Sequence, residues 1–472
     1  MNKPRKVTII GAGMGGSLLA IYLARRNFDV EIYELRNNIA SLPCLSAKSI
    51  NQSLSARGIA ALKEVQLWDV IKNIASPEHG RVIHEPSGEL LYQPYGDTQG
   101  YTEWSINRNE LNRALQEQFH RYPITIINEE KCVSVDFDTR VIELENQYTK
   151  KRTTKKVELV VGADGIHSVV RKSLEKKQVC NTRFEYLDWG YKNIFVPVPH
   201  NDTILFRTDA FHLWSKKKAA IFGMSNSGGN FTCTITLPLV GPDSFASIDS
   251  TESLLSFFER HFPDLSASVP AIAEDFLSQP ATPFASVYAD TWYYKDFCVL
   301  LGDACHAVTI FYGQGINAAF EDCAVLAQCI DNAYPNMEQA FSSFQTLRKT
   351  DTDVLADVCK DRFIELKDKY ESPLFLARSY VFMWLERLFP GTFHSLYTLI
   401  VHSTLSYSVA VQRNNTGKRI ARLCGVDILI LVCVLWIMAR KTAYRLLEKV
   451  NNLKRLYVSG FQKLAKSTLR KY

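Results

Sequence analysis

Lys6-Val7-Thr8-Ile9-Ile10-Gly11-Ala12-Gly13-Met14-Gly15-Gly16 is the stretch on which the fold of this 472-residue chain turns. Residues 6–10 are apolar and β-branched, which predicts a buried strand. Glycines at 11, 13, 15 and 16 follow, and Ser17 to Asn27 then has helix-forming composition. Val30 to Tyr33 predicts a second strand that ends at Glu34. Strand, glycine turn, helix and strand make a βαβ unit. In such a unit Gly11 permits the tight turn, Gly13 lets the backbone approach a pyrophosphate, and Gly16 lets helix and strand pack closely. The helix N-terminus, which contains Gly15, offers free N–H groups and a positive dipole to phosphate. Glu34 stands 18 residues after Gly16, where a carboxylate can hydrogen-bond a ribose. An acid there favours the unphosphorylated ribose of FAD or NAD over that of NADP.

Residues 52–73 and 108–121 read as helical. Short strand-like pieces and the turn Pro94-Tyr95-Gly96 lie between them. Strands with charged hairpins fill 123–162. The aromatic and β-branched segment 183–242 predicts an antiparallel sheet, followed by a helix at Glu252–His261. Phe297 to Leu301 is again a buried strand, and 336–420 reads as helical. The expected fold class is α/β: an interrupted Rossmann-like nucleotide-binding domain, an inserted antiparallel β-sheet substrate domain and a C-terminal helical region. The expected parts are 1–180 and 291–350 for the two halves of the nucleotide domain, with 75–105 facing a substrate. The insert is 181–290 and the helical region 351–420, followed by a membrane helix at 421–440 and a basic tail at 441–472.

Composition is ordinary for a globular chain, 46% hydrophobic and 22% charged. The net charge is +6. Ten Lys or Arg against the single acid Glu448 lie from Arg440 onward, so the rest of the chain is about −3. The basic character thus belongs to a tail, which argues against nucleic acid as a partner. Eleven cysteines carry no C-x-x-C pair, which fits a reducing compartment. The apolar run Val7 to Ile10 is too short for a secretory signal. Leu423 to Ala439 is a 17-residue apolar run interrupted by Gly425 and Asp427 and flanked by Lys418, Arg419, Arg422, Arg440 and Lys441. Its length is at the low edge of a span, which typically needs about 20 residues. The basic flanks and the basic tail that follows the folded part nonetheless make a membrane anchor the expectation, against the alternative of a buried or interfacial helix.

Two further motifs carry chemistry. Val157 to Arg171 holds a strand ending at Gly162 and a turn at Asp164-Gly165. Cys298 to Asp322 holds Gly302-Asp303 after a strand, then Phe311-Tyr312-Gly313-Gln314-Gly315-Ile316-Asn317 opening a helix. Asp303 is placed to accept from a hydroxyl of a flavin side chain. The N–H groups near Gly315, Ile316 and Asn317 are placed to face a flavin ring and the negative charge it gains on reduction. His306 beside the turn is read as a structural hydrogen-bonder. With no second His or carboxylate at ligand spacing, no metal is expected.

These three motifs, in this order and spacing, resemble the single-component FAD-dependent aromatic hydroxylases. Within them the chain is similar to the kynurenine 3-monooxygenases over roughly residues 5–415. The shared stretches include Tyr33-Glu34-Leu35-Arg36, Leu54-Ser55-Ala56-Arg57-Gly58, Arg81-Val82-Ile83-His84, Pro94-Tyr95-Gly96, Ser105-Ile106-Asn107-Arg108 and Leu396-Tyr397-Thr398. The resemblance implies FAD, NADPH or NADH as co-substrate, O2, and hydroxylation of L-kynurenine through a flavin hydroperoxide. A related flavin oxygenase or oxidase with another aromatic or amino-acid-like substrate is the alternative, and a membrane-tethered FAD-binding protein without turnover is a third. By resemblance Arg81, Tyr95 and Tyr397 hold the substrate carboxylate, and Arg36, Ser53 and Arg108 join the glycines in holding FAD. No side chain is implied as an acid or base. It also implies the mitochondrial outer membrane in a eukaryote; in a bacterium the inner membrane is expected.

The chain departs from the family pattern in places. Arg362 stands where the family has a pocket asparagine, a position from which it is expected to clamp a carboxylate or turn outward. Ile310 replaces a proline ahead of Phe311-Tyr312, which restores a backbone N–H. Lys48, Gln52 and Ser53 replace Arg, Leu and Ala.

Overall fold

The computed structural model describes residues 5–39, 50–84, 88–95, 100–196, 206–216, 218–226, 229–369 and 373–428. The described residues of Met1–Tyr370 and Leu396–Gln412 form one compact unit, and those of Glu371–Ser395 with the segment from Arg413 onward form another.

Five strands of the first unit run parallel in one sheet. Their order is Cys298–Leu300, Val160–Gly162, Lys6–Ile10, Asp29–Tyr33 and Ile124–Ile127, with Tyr293–Tyr294 antiparallel on the outer edge. Ile9 pairs with Ile32 on one side and with Val161 on the other. Helices cover a parallel sheet on both faces, so its strands read as continuous apolar runs. That is why Val7, Ile9, Ile10, Val160, Val161 and Val299 all lie in one core with the helix Met14–Ala24.

The second large sheet has seven strands. Its order is Thr282–Ala289, Thr182–Val196, Phe231–Pro238, Ala219–Ser225, Phe211–Lys216, Gly80–His84 and Leu90–Pro94. It is antiparallel except where Phe211–Lys216 pairs in parallel with Gly80–His84. Arg81 and the strand leading to Tyr95 therefore sit at one edge of the expected insert. Two three-stranded sheets complete the β-structure, Asn51–Leu54/Glu103–Asn107/Ser76–Glu78 and Arg152–Lys156/Val141–Asn146/Glu130–Asp136. The segment 52–73, read as helical from the sequence, begins instead with the strand Asn51–Leu54 before the helices Ala56–Glu64 and Trp68–Lys72.

Long helices close the first unit. Gly315–Ala333 and Met337–Ile364 pack together, and Leu355, Val358 and Cys359 meet Leu399, Ile400 and Tyr407 in a separate apolar cluster. In the other unit, Ala377 and Val381 pack against Val426. Among the described residues no helix is long and apolar enough to cross a membrane. The apolar run at Leu423–Ala439 lies outside the described residues beyond Ile428, as do the basic tail and Lys48.

Candidate active site

The glycine turn is fixed by contacts that leave no room for side chains. Gly11 has φ +102°, and a Cβ there would lie 2.5 Å from the Ala163 carbonyl oxygen. A Cβ on Gly16 would lie 2.1 Å from the Gly11 carbonyl oxygen. At Gly13, by contrast, a Cβ would meet nothing within 4 Å. Gly13 starts the helix without a side-chain cap, and the first helical bond is Ser17 N–H to the Gly13 carbonyl. Among the described residues, the N–H groups of Met14, Gly15 and Gly16 find no acceptor. Glu34 accepts from Ala12 N at 2.7 Å and from Arg36 N at 2.9 Å, so its carboxylate ties the second strand to the turn. Its remaining lone pairs stay available to a hydroxyl.

A second helix start stands beside the first. Gly15 approaches Ala319, and Cys323 donates to the Gly15 carbonyl. The helix Gly315–Ala333 also lacks a side-chain cap, and the N–H groups of Gly315, Ile316 and Asn317 have no acceptor among the described residues. An uncapped helix N-terminus favours an anion or developing negative charge. Asp303 is accessible to water yet deeply surrounded by protein, as a group on the floor of a cleft would be. Burial raises its carboxyl above the usual range, while His306 and Arg108 pull the other way. Burial lowers the Arg108 guanidinium, and the nearby charge of Arg36 adds to this. Arg108 makes no side-chain hydrogen bond or ion pair within 4 Å among the described residues, so its donors are unspent. These features fit the diphosphate, sugar chain and ring of a bound dinucleotide. Among the described residues no cluster of three His, Cys, Asp or Glu side chains could hold a metal.

A polar cluster lies at the sheet edge. Gln93 accepts from Arg81 Nε at 2.9 Å, which orients the guanidinium and leaves both terminal nitrogens without a partner among the described residues. The guanidinium stands 5.9 Å from the Tyr397 ring, and the rings of Tyr95 and Tyr397 are 6.1 Å apart. Tyr397 donates to Glu103 Oε1 at 2.6 Å, and Ser53 donates to Glu103 Oε2 at 2.8 Å. Burial raises both phenols, Tyr95 and Tyr397, well above the usual range, so both remain donors. Asn317 Nδ2 donates to the Ser53 carbonyl at 2.8 Å. The chain Asn317–Ser53–Glu103–Tyr397 thus joins the helix start to the Arg81 cluster.

Residues 5–340 match the family described as FAD binding domain. A kynurenine 3-monooxygenase of Myxococcus xanthus is 37% identical over 415 residues, covering 87% of this chain and 89% of that one. The kynurenine 3-monooxygenase of Salinispora arenicola is 36% identical, covering 92% and 96%. The chain belongs to the kynurenine 3-monooxygenase family. The Dictyostelium discoideum member is 32% identical over 423 residues, covering 87% of this chain and 90% of that one. Solved structures share the fold: 2-methyl-3-hydroxypyridine-5-carboxylic acid oxygenase superposes with a TM-score of 0.63 at 19% identity over 80% of this chain and 96% of that one. PqsL, a probable FAD-dependent monooxygenase from Pseudomonas aeruginosa, does so with a TM-score of 0.61 at 20% identity over 77% and 97%.

Against this family background, several residues have partners that the sequence did not announce. The Ser53 hydroxyl proton goes to Glu103, and all side-chain polar atoms of Asn317 are used, with Oδ1 accepting from Ser55 N at 2.9 Å. Any cofactor contact from Asn317 therefore runs through its backbone. Arg362 donates to Glu365 at 3.3 Å, and its charge reaches the Tyr312 phenol, whose pKa burial raises. Ile310 is exposed in a short 3-10 turn, while Phe311 packs against Phe284 and Phe363. His306 Nε2 lies 2.5 Å from the buried Asp322, in keeping with a structural role. Glu78 and Glu103, both buried, gave no motif signal at all.

Proposed function

We propose that this protein is an FAD-dependent, NADPH-consuming aromatic hydroxylase that converts L-kynurenine to 3-hydroxykynurenine. One observation carries the reading: the paired uncapped helix starts at Gly13 and Gln314 are joined by the chain Asn317–Ser53–Glu103–Tyr397 to the unspent guanidinium fork of Arg81. In this reading Gly11, Gly13, Gly15, Gly16, Glu34, Arg36, Arg108, Asp303 and the N–H groups of Gly315, Ile316 and Asn317 hold FAD. When bound, FAD supplies the two-electron chemistry that consumes NADPH and O2. Arg81 takes the substrate carboxylate through its two terminal nitrogens, a geometry that a planar fork matches. Tyr95 and Tyr397 line the same end. The aromatic set Phe222, Phe284, Phe311 and Phe363 offers an apolar wall from which water is excluded. No side chain is assigned a proton in this scheme.

The decisive experiment follows NADPH and NADH oxidation by the FAD-loaded protein with and without L-kynurenine. Stimulated oxidation with matching 3-hydroxykynurenine supports the reading. Stimulation that yields only peroxide supports a related oxygenase with another amino-acid-like substrate, a reading favoured by the Arg362–Glu365 pair beside Tyr312. FAD-loaded protein inert to every aromatic acid would leave a binding protein without turnover.

Membrane attachment through residues 421–440 is the second part of the proposal. Its support is the sequence: an apolar run with basic residues on both flanks. Deleting residues 421–472 should release the protein from membranes, and a truncated form that still sediments with them would overturn this part.

A further inference from the structure

Glu78 ends the strand Ser76–Glu78, and Glu103 begins the strand Glu103–Asn107. The two residues are directly opposite in the antiparallel register, so their side chains leave the same face. Both are buried, Glu78 at 0% and Glu103 at 4% exposure. Like charges directly opposite each other destabilise a sheet. The Glu103 oxygens are satisfied by Tyr397 and Ser53. Neither Glu78 oxygen has a hydrogen-bond partner among the described residues. Burial holds the Glu78 carboxyl well above its ordinary range, with the Glu103 charge adding to the effect. Buried polar atoms are almost always paired, and an unpaired one points to a missing group.

The neighbours say what that group is. Tyr95 N donates to the carbonyl of His79, the residue after Glu78, at 2.9 Å. The Tyr95 phenol feels Glu103, Tyr397, Glu78 and Arg81 together. The charge of Arg81 reaches Glu103, and Glu78 stands opposite Glu103. An arginine with an acid so near is a poor receptor for a simple carboxylic acid. It suits a zwitterion, whose ammonium sits one carbon away from its carboxylate. The ammonium also brings three donors to a place where two acceptor oxygens are idle.

We propose that Glu78, with Glu103 beside it, forms the ammonium subsite for an α-amino-acid substrate whose carboxylate lies on Arg81. This rests on the reading of Arg81 given above. Glu78 takes the ammonium on its two oxygens, and the arriving positive charge offsets the burial that disfavours its carboxylate form. Glu103 is held in place by Tyr397 and Ser53 and supplies the second negative charge.

The test compares two ligands of the FAD-loaded protein, L-kynurenine and its analogue lacking the α-amino group, 4-(2-aminophenyl)-4-oxobutanoate. Binding is read from the flavin absorbance change. The intact protein should prefer the amine by about tenfold or more, the size expected for a hydrogen bond between charged groups. Glu78→Gln and Glu103→Gln should each erode that preference, by weakening the amine and sparing the analogue. Equal binding of both ligands by the intact protein overturns the proposal alone and leaves the carboxylate reading standing. Full discrimination in both variants overturns it as well. If neither ligand binds while FAD is held, the substrate reading falls and this proposal falls with it. Comparing the two ligands on the intact protein needs no variant to fold.

Discussion

The Tyr397 phenol lies 2.6 Å from Glu103 Oε1, so its single proton is committed to a neighbouring acid. Burial raises the Glu103 carboxyl, while hydrogen bonds from Tyr397 and Ser53 pull it down. Tyr397→Phe removes one of these donors and pushes Glu103 further towards its protonated form. The expected result is a rise in KM for L-kynurenine of about tenfold, with FAD content unchanged. A fall in kcat at unchanged KM would show that the pair serves the chemical step instead.

Among the described residues Arg81 is oriented through Nε, which leaves its terminal nitrogens for a ligand. Arg81→Ala should raise KM by about 100-fold while FAD stays bound, since a charge-assisted bidentate contact is lost. Arg81→Lys should recover only part of this, because an ammonium cannot reproduce the fork. Steady-state kinetics beside flavin absorbance separates the two effects, and wild-type KM in Arg81→Ala would remove the residue from the substrate site.

Local signals were legible in the sequence and long-range pairings were not. The turn at Gly11–Gly16 could be read because strand, glycines and helix adjoin in the chain. The position of Glu34 was legible, but its bond to Ala12 N was not, because that depends on how closely the second strand approaches the turn. Residues 52–54 read as helix because the strand Asn51–Leu54 is too short to show alternation, and Asn107 and Trp104 across the sheet decide the matter. Glu78 and Glu103 meet only through the register of two short strands, so nothing at either position marks the other. The parallel pairing of Phe211–Lys216 with Gly80–His84 joins segments too far apart for any periodic signal. His306 was legible as structural from its turn, though its partner Asp322 was not.

Asp322 holds several parts of the fold at once. It accepts from Arg348 Nε at 2.7 Å and from Gly302 N at 3.2 Å, and lies 2.5 Å from His306 Nε2. Burial pushes its carboxyl up, but His306 and Arg348 outweigh this and hold it below the usual range. A depressed acid contributes stability that is present above its unfolded pKa and lost as pH falls through the folded one. Asp322→Asn should therefore cost about 3–5 kcal/mol at neutral pH, because Arg348 would keep a buried charge with less compensation. Urea unfolding would show it, and an unchanged midpoint would contradict it.

A buried chain of rings gives a second pH dependence. His212 Nε2 lies 2.9 Å from the Arg207 carbonyl, which can only accept, so that nitrogen carries the hydrogen. His212 Nδ1 then accepts from His84 Nε2 at 2.9 Å, and His84 Nδ1 faces Asp264 at 2.9 Å. Burial lowers His212 to about 4, with the Arg207 carbonyl opposing and His84 assisting. Burial also lowers His402 to about 4. An unfolded histidine titrates near 6.5, so between about 6.5 and 4 the unfolded chain binds more protons than the folded one. Stability should rise with pH across that window, be complete above it, and be lost as pH falls towards 4. Urea midpoints from pH 7 to pH 4 would show the slope, and His212→Asn should flatten part of it. A slope unaffected by the substitution would assign the acid sensitivity elsewhere.

The glycine turn offers a test that separates packing from cofactor binding. A methyl on Gly16 would sit 2.1 Å from a carbonyl oxygen that cannot move without shifting the first strand. Gly16→Ala should therefore lose folded protein as well as FAD. A methyl on Gly13 meets no protein atom within 4 Å, and its φ of −65° suits any residue. Gly13→Ala should keep the stability of the FAD-free protein within about 0.5 kcal/mol. Its methyl would instead lie at the start of the helix, where the N–H groups of Met14, Gly15 and Gly16 have no acceptor among the described residues and a pyrophosphate must come close. FAD affinity, measured by titrating the stripped protein, should fall about tenfold or more, the cost of about 1.4 kcal/mol of lost contact. A Gly13→Ala protein that is stable and binds FAD as tightly as before would mean that the diphosphate does not rest on this turn, and the cofactor assignment built on it would have to move to the Gly315 helix alone.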